Sequence, residues 1–258
     1  MRAKGGIYAS REISADQEGC TRDLPSWALD VFHSIRATVA DEDFPCIFAR
    51  RSLNLDAWYF TFVESFAAPP GRQAVGEAIG TYLQQLDPDP DAPILMPLLV
   101  VERPIRPALS LAEYHQNGWA LLQSLHDGDP DDWPANVSPI NTDDNDWSFC
   151  YRGQPLFINF SCPAHAYFRS RNLGDSMVLV LQRATNFDAV TSYDWNGPKG
   201  HAVRSVIRDR VDKFEGHPAP IEFTLAGTPE ERAWKQMAIP EPDGQYPAEC
   251  PFHARKRD

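Results

Sequence analysis

The chain has no run approaching the roughly 18 consecutive apolar residues of a membrane helix. Its longest candidate, around Ile94 to Val101, is interrupted by Pro97. The start, Met1-Arg-Ala-Lys-Gly-Gly6, lacks the apolar stretch of a secretory signal, so a cytoplasmic location without membrane partners is expected. Positive charge is also short: 24 Lys plus Arg stand against 36 Asp plus Glu, a formal charge of −12. That balance argues against nucleic-acid partners and leaves cationic small molecules compatible. The five cysteines, Cys20, Cys46, Cys150, Cys162 and Cys250, form no C-x-x-C pair and are odd in number, which disfavours a zinc knuckle or a disulfide framework. The seven histidines include no close pair at ligand spacing. The G-x-S-x-G elbow, the G-x-x-x-x-G-K-[ST] phosphate loop, H-E-x-x-H and G-x-G-x-x-G are all missing, which disfavours serine hydrolases, P-loop enzymes, zincins and dinucleotide binders.

What is present fits a globular chain: 258 residues, 43% hydrophobic and 23% charged, enough for a core of ordinary size. Residues 1–24 lack periodicity and are expected to form a flexible lead, with a single domain over 25–258. Trp27, Val31, Phe32, Ile35 and Val39 recur at helical spacing after Ser26. Trp58 to Glu64 is rich in aromatic and branched residues and predicts a strand. Arg72 to Leu86 is amphipathic and ends at the Asp-Pro alternation. Ile94 to Val101 predicts a buried strand, with Pro97 suggesting an edge or a bulge. Ser110-Leu-Ala-Glu113 is a capping box that opens a helix through Leu125. Trp147 to Tyr151 and Pro155 to Phe160 suit a hairpin around Arg152-Gly-Gln154, and Met177 to Gln182 predicts a further strand. Lys199 to Phe214 carries an apolar helical stripe. Ile221 to Leu225 predicts a short strand, and Thr228-Pro-Glu-Glu231 a helix start. The fold expected is one α+β domain, a mixed β-sheet flanked by helices.

The most informative stretch runs from Asn159-Phe-Ser-Cys-Pro-Ala-His165 through Arg169-Ser-Arg-Asn-Leu-Gly174. It is a polar turn between two apolar strands, carrying one histidine and two arginines. An imidazole can bind a metal, and guanidiniums can hold carboxylates. The plain alternative makes Arg169 and Arg171 surface ion-pairing residues and His165 a cap. Asn172 to Gly174 reads as structural, with Gly174 accepting a backbone angle other residues resist.

Together with Phe44-Pro-Cys-Ile-Phe-Ala49, Trp119 to Leu125, Asp132-Trp-Pro134, Trp147 to Cys150, Trp234-Lys-Gln236 and Cys250-Pro-Phe252, this segment resembles the YqcI/YcgG family, whose characterised members are haem-dependent N-oxygenases of guanidine groups. The likeness extends from about residue 25 to residue 252. It implies haem b, held without covalent attachment since no C-x-x-C-H exists, and dioxygen or hydrogen peroxide as oxidant. His165 is then the first choice for axial metal ligand and catalytic centre, with Cys46 the competing thiolate ligand and Cys162 belonging to the same test. Phe160 and Phe168, with Phe157 and Tyr167, could pack on the macrocycle, and Arg169 and Arg171 could hold its propionates. A guanidinium substrate needs a carboxylate and an aromatic wall. Glu64 is the first choice for the former, with Asp188 in reserve, and Trp58 or Trp119 for the latter. The activity implied is N-hydroxylation of L-arginine or a related guanidino compound, of monooxygenase or peroxygenase type, with an external electron donor if dioxygen is used. The rivals are a haem oxygenase or dehydratase acting on another small nitrogen compound, a haem sensor without turnover, and a metal-free interaction domain.

Overall fold

The computed structural model describes residues 6–15, 23–86, 96–135, 137, 141–143, 147–186, 198–220 and 232–254. The expected strand at 221–225, the helix start at 228–231, Asp188 and part of the long acidic, proline-bearing loop expected over Asp127 to Asp146 lie outside the described residues. Among the described residues six strands form one sheet: β1 (Tyr8–Ala9), β2 (Tyr59–Val63), β3 (Leu98–Glu102), β4 (Phe149–Tyr151), β5 (Gln154–Ser161) and β6 (Val178–Arg183). Their order is β1-β2-β3-β6-β5-β4. Only β2 and β3 run parallel, and the other neighbours are antiparallel. The sheet is mixed and the domain α+β, as expected.

Alternation along the strands divides the core. Tyr59, Val63, Leu98, Val100, Phe160 and Leu179 belong to one buried cluster, and Phe60, Leu99, Val101 and Val178 to another. Successive side chains of a strand point to opposite faces, so the sheet is buried on both sides. Helices α4 (Pro69–Thr81) and α5 (Leu111–Gly128) supply the first cluster with Val75, Ile79, Leu121 and Leu122. Helices α2 (Ala28–Ala40) and α3 (Ile47–Asn54) supply the second with Phe32, Ile35 and Leu53. The remaining α-helices among the described residues are α1 (Ser10–Ala15), α6 (Pro198–Glu215) and α7 (Ala233–Met237).

Local chemistry accounts for several boundaries. The Ser110–Glu113 capping box forms, with the Glu113 amide donating to Ser110 Oγ at 3.3 Å and the Ser110 amide to Glu113 Oε2 at 2.8 Å. The β4–β5 hairpin closes through Arg152 and Gly153, with φ of 53° and 68°, the left-handed pair of a two-residue hairpin turn. Two details differ from the sequence expectation. Pro97 marks neither an edge nor a bulge; it immediately precedes β3, an interior strand, where only its carbonyl is needed, accepting the Tyr59 amide at 3.0 Å. Within the expected lead, Tyr8 and Ala9 pair with Phe60 and Tyr59, and Ile7 and Ile13 are buried, because β2 otherwise presents an open edge.

Candidate active site around His165

Strand β5 ends at Ser161, and the chain then turns sharply, the His165 amide donating to the Cys162 carbonyl at 3.1 Å and the Cys162 amide to the Arg171 carbonyl at 2.8 Å. Asn172 fastens the turn from within, its Nδ2 donating to the carbonyls of Pro163 at 3.2 Å and His165 at 3.0 Å while its Oδ1 accepts the Gly174 amide at 2.9 Å. Gly174 has φ of 114°, and a Cβ there would meet Ser34 Oγ at 2.6 Å, so the structural role expected for this segment holds.

Glu241, 76 residues further along, fastens the turn from outside. One carboxylate oxygen lies 3.1 Å from His165 Nδ1 and accepts the Ala166 amide at 3.0 Å, and the other accepts the Tyr167 amide at 2.9 Å. A carboxylate acceptor at Nδ1 places the proton of a neutral imidazole there and leaves Nε2 a bare lone pair. The His165 side chain is fully buried and its Nε2 makes no hydrogen bond. A buried acceptor without a partner is rare enough to need an explanation.

A second imidazole meets it. His115 stands on the first turns of α5, its ring centroid 5.9 Å from that of His165 and 6.3 Å from that of Phe160, and its Nε2 is also buried without a hydrogen bond. This approach depends on Gly118, where a Cβ would come within 2.7 Å of Phe160 Cε2 and 2.9 Å of Met177 Cε. Donor atoms of His115, Cys162 and His165 all lie within 4.8 Å of one another. Burial holds both imidazoles far below the ordinary histidine range, to about 3, so both are neutral at physiological pH. Burial pushes the Cys162 thiol strongly up, with the Arg171 charge opposing and Glu102 adding to the effect.

Of the two arginines, Arg171 is buried beside this cluster, its charge acting on His115, Cys162, His165 and Cys46. Burial lowers its pKa only to about 10, so it remains a cation. Arg169 faces elsewhere. Its guanidinium lies over the Phe214 ring, donates to the Phe214 carbonyl and stands 4.0 Å from Glu215, with the side chain more than half exposed. Arg169 occupies the surface ion-pair position that is the plain alternative for it. Glu215 also accepts the Arg169 and Ser170 amides at 2.8 and 2.9 Å, capping the short 3-10 turn Arg169–Arg171.

The other sequence candidates separate by face. Phe160 is buried in the cluster that holds Cys162, with Trp119 5.5 Å away, one helical turn beyond His115. Phe168 is buried against Val211 and Ile239, and Tyr167 stacks on His217 at 3.6 Å. Cys46 caps α3, its Sγ accepting the Ala49 amide at 3.4 Å, and packs with Trp58 on the α2–α3 side of the sheet; burial raises its thiol. Glu64 stands apart from His165 on an exposed rim, receiving the Trp27 indole at 3.1 Å and Arg103 at 3.0 Å, with 64% of its side chain in solvent.

Three residues of the site escape sequence reasoning. Glu241 lies in a Pro-Glu-Pro stretch with no periodic signal. His115 carries a faint one, being four residues before Trp119 on α5. Glu102 follows Val100-Val101 as an acid at the end of an apolar strand. It is buried, one oxygen accepts the Phe66 amide at 2.6 Å and the other makes no hydrogen bond. Burial raises its pKa against that hydrogen bond.

The donor set fits haem iron in kind: an imidazole with a bare buried Nε2 and a carboxylate behind it, apolar walls from Phe160 and Trp119, and one buried cation in Arg171.

Comparison with known proteins gives this geometry its context. The YqcI/YcgG family model matches residues 35–253. The protein of Streptomyces lavendulae named "Putative N(omega)-hydroxy-L-arginine synthase DcsA" is 35% identical over 245 residues, 94% of this chain and 89% of that protein. Two uncharacterized proteins of Bacillus subtilis (strain 168) also match: YqcI at 25% identity, covering 97% of this chain and 95% of that protein, and YcgG at 27%, covering 96% and 94%. No solved structure matches at a significant level. With the family model spanning His115, Cys162, His165 and Glu241, the chain belongs to the YqcI/YcgG family.

Proposed function

We propose that this protein is an enzyme that N-hydroxylates the guanidino group of L-arginine or a related compound, using haem b held through His165. The observation that carries the reading is the fully buried His165 with Nε2 bare and Nδ1 held by Glu241. It occurs in a chain similar over 94% of its length to a protein named as an N-hydroxy-arginine synthase. When bound, haem supplies oxygen insertion; with dioxygen, one oxygen enters the N–H bond and the other leaves as water at the cost of two electrons and two protons from an external donor, and with hydrogen peroxide no donor is needed.

The chain's own residues do the rest. His165 would hold the iron through its Nε2 lone pair, and Glu241 keeps that nitrogen unprotonated and aimed. Arg171 offers a buried guanidinium to a propionate, a charge-assisted contact whose strength rises with desolvation. Phe160 and Trp119 exclude water from the same space. Glu102, the buried acid that acts on Cys162, is better placed than exposed Glu64 to meet a guanidinium, since a carboxylate in solvent gains little from a cation.

Titration of the protein with haemin tests this directly. A saturable Soret band is expected, shifted on addition of L-arginine and lost or altered in spin state in His165→Ala. A protein that takes up no haemin would overturn the haem reading. Haem uptake unchanged in His165→Ala but altered in Cys46→Ala would move the axial ligand to that thiolate.

A further inference from the structure

His115, Cys162 and His165 are drawn from a helix and from the turn after β5, yet their donor atoms lie within 4.8 Å of one another. Two of the three present a buried Nε2 with no hydrogen bond, and the third is a buried thiol. Such a gathering has no apolar account, because each unpaired buried nitrogen costs desolvation free energy without return. We propose that these three side chains form a site for a single divalent cation of the zinc class, occupied when the chain carries no haem.

Tetrahedral zinc takes nitrogen ligands at about 2.0–2.1 Å and thiolate at about 2.3 Å, which sets ligand atoms about 3.5 Å apart. The gathered atoms therefore close on an ion by about 1 Å, within the reach of side-chain torsions at constant backbone. Two imidazoles and a thiolate are a donor set that suits zinc, while magnesium and calcium prefer oxygen. The second layer is already built: Glu241 holds His165 Nδ1, the carboxylate–histidine–metal arrangement that orients a ligand and raises its basicity. Cys162 loses its proton to solvent on binding. Its thiolate and Glu241 then offset the dication, with Arg171 as the opposing charge. Three protein ligands leave a fourth position open, the pattern of catalytic rather than structural zinc. Both occupants require His165 Nε2, so the ion and haem exclude one another.

Cobalt(II) serves as the probe because its thiolate complexes absorb where zinc is silent. The full chain, stripped of metal by chelation, is titrated with cobalt(II), and its zinc-loaded form is measured by X-ray absorption at the zinc edge. The expected results are one equivalent of cobalt with a thiolate-to-cobalt charge-transfer band, and one sulfur at about 2.3 Å with imidazole nitrogens around zinc. Cys162→Ser should abolish the band, His115→Ala should weaken binding, and Glu241→Gln should weaken it by about ten-fold or more. Haemin added to the cobalt-loaded chain should release the cobalt. Absence of stoichiometric binding to the unsubstituted chain, or a zinc shell without sulfur, overturns the proposal whether or not any variant folds. Because the ion is measured before haemin is added, these results stand apart from the fate of the N-hydroxylase reading.

Discussion

Glu241 accepts three hydrogen bonds from the His165 turn, two of them from the backbone amides of Ala166 and Tyr167. Each bond to a carboxylate contributes roughly 1.5–3 kcal/mol, reduced here by partial exposure. Glu241→Ala is therefore expected to lower unfolding stability by about 2 kcal/mol and Glu241→Gln by about half as much, because an amide oxygen can keep the His165 and Ala166 contacts. Urea denaturation of both variants measures this. Glu102 offers a different residue-scale test. Its pKa is raised by burial, so the folded state favours its protonated form; the associated stability is fully present below the ordinary carboxyl value of 4.5 and is lost as pH rises through the folded value. Glu102→Gln, which keeps an acceptor for the Phe66 amide without the buried charge, should be at least as stable as the parent at pH 7 and lose that advantage below about pH 4.5. Melting curves across that range report the sign.

At the scale of elements, α5 reaches the sheet only because Gly118 has no Cβ. The neighbour it would strike is the Phe160 ring, flanked by Trp119 and His115, with no room to turn aside. Gly118→Ala should destabilise the fold by about 1–3 kcal/mol and weaken haem or cobalt retention, since it displaces His115 from His165. A variant of normal stability and normal retention would show that the approach is not needed. The hairpin gives a second element-scale expectation. Gly153 holds φ of 68°, and Gly153→Val should cost about 1 kcal/mol or more in thermal unfolding without touching the site. Elements of this kind were open to sequence reasoning. The capping box at Ser110 and the Arg152–Gly153 turn rest on contacts between near neighbours, while strands β2, β5 and β6 were marked by their apolar content. Pro97 misled because a proline before an interior strand and one in an edge strand look alike until the partners are known. The ends of the chain were harder still: β1 forms because an open β2 edge awaits it, which only the folded sheet reveals.

For the whole molecule, the turn at His165 was legible because its residues are contiguous, whereas the constellation around it was not. His115 lies 50 residues before His165 and Glu241 76 after, and nothing in local spacing joins three segments that only the β5–α5 packing and the Glu241 hydrogen bonds bring together. The same folding sends Arg169 and Arg171 apart although they sit two residues from each other, since a 3-10 turn directs them to a surface ion pair and to the core. Glu64 and Glu102 make the mirror case. Glu102 ends β3 and Glu64 directly follows the parallel strand β2, but only Glu102 is enclosed. Among the described residues no helix is long and apolar enough to cross a membrane.

Mass analysis of products from L-arginine tests the account most directly. The haem-loaded protein is incubated with arginine under dioxygen with an electron source, and separately with hydrogen peroxide. The account predicts an arginine derivative heavier by one oxygen, with the hydroxyl on a guanidino nitrogen, absent from His165→Ala at equal protein concentration. Haem-loaded protein that yields no oxygenated arginine under either oxidant would contradict it.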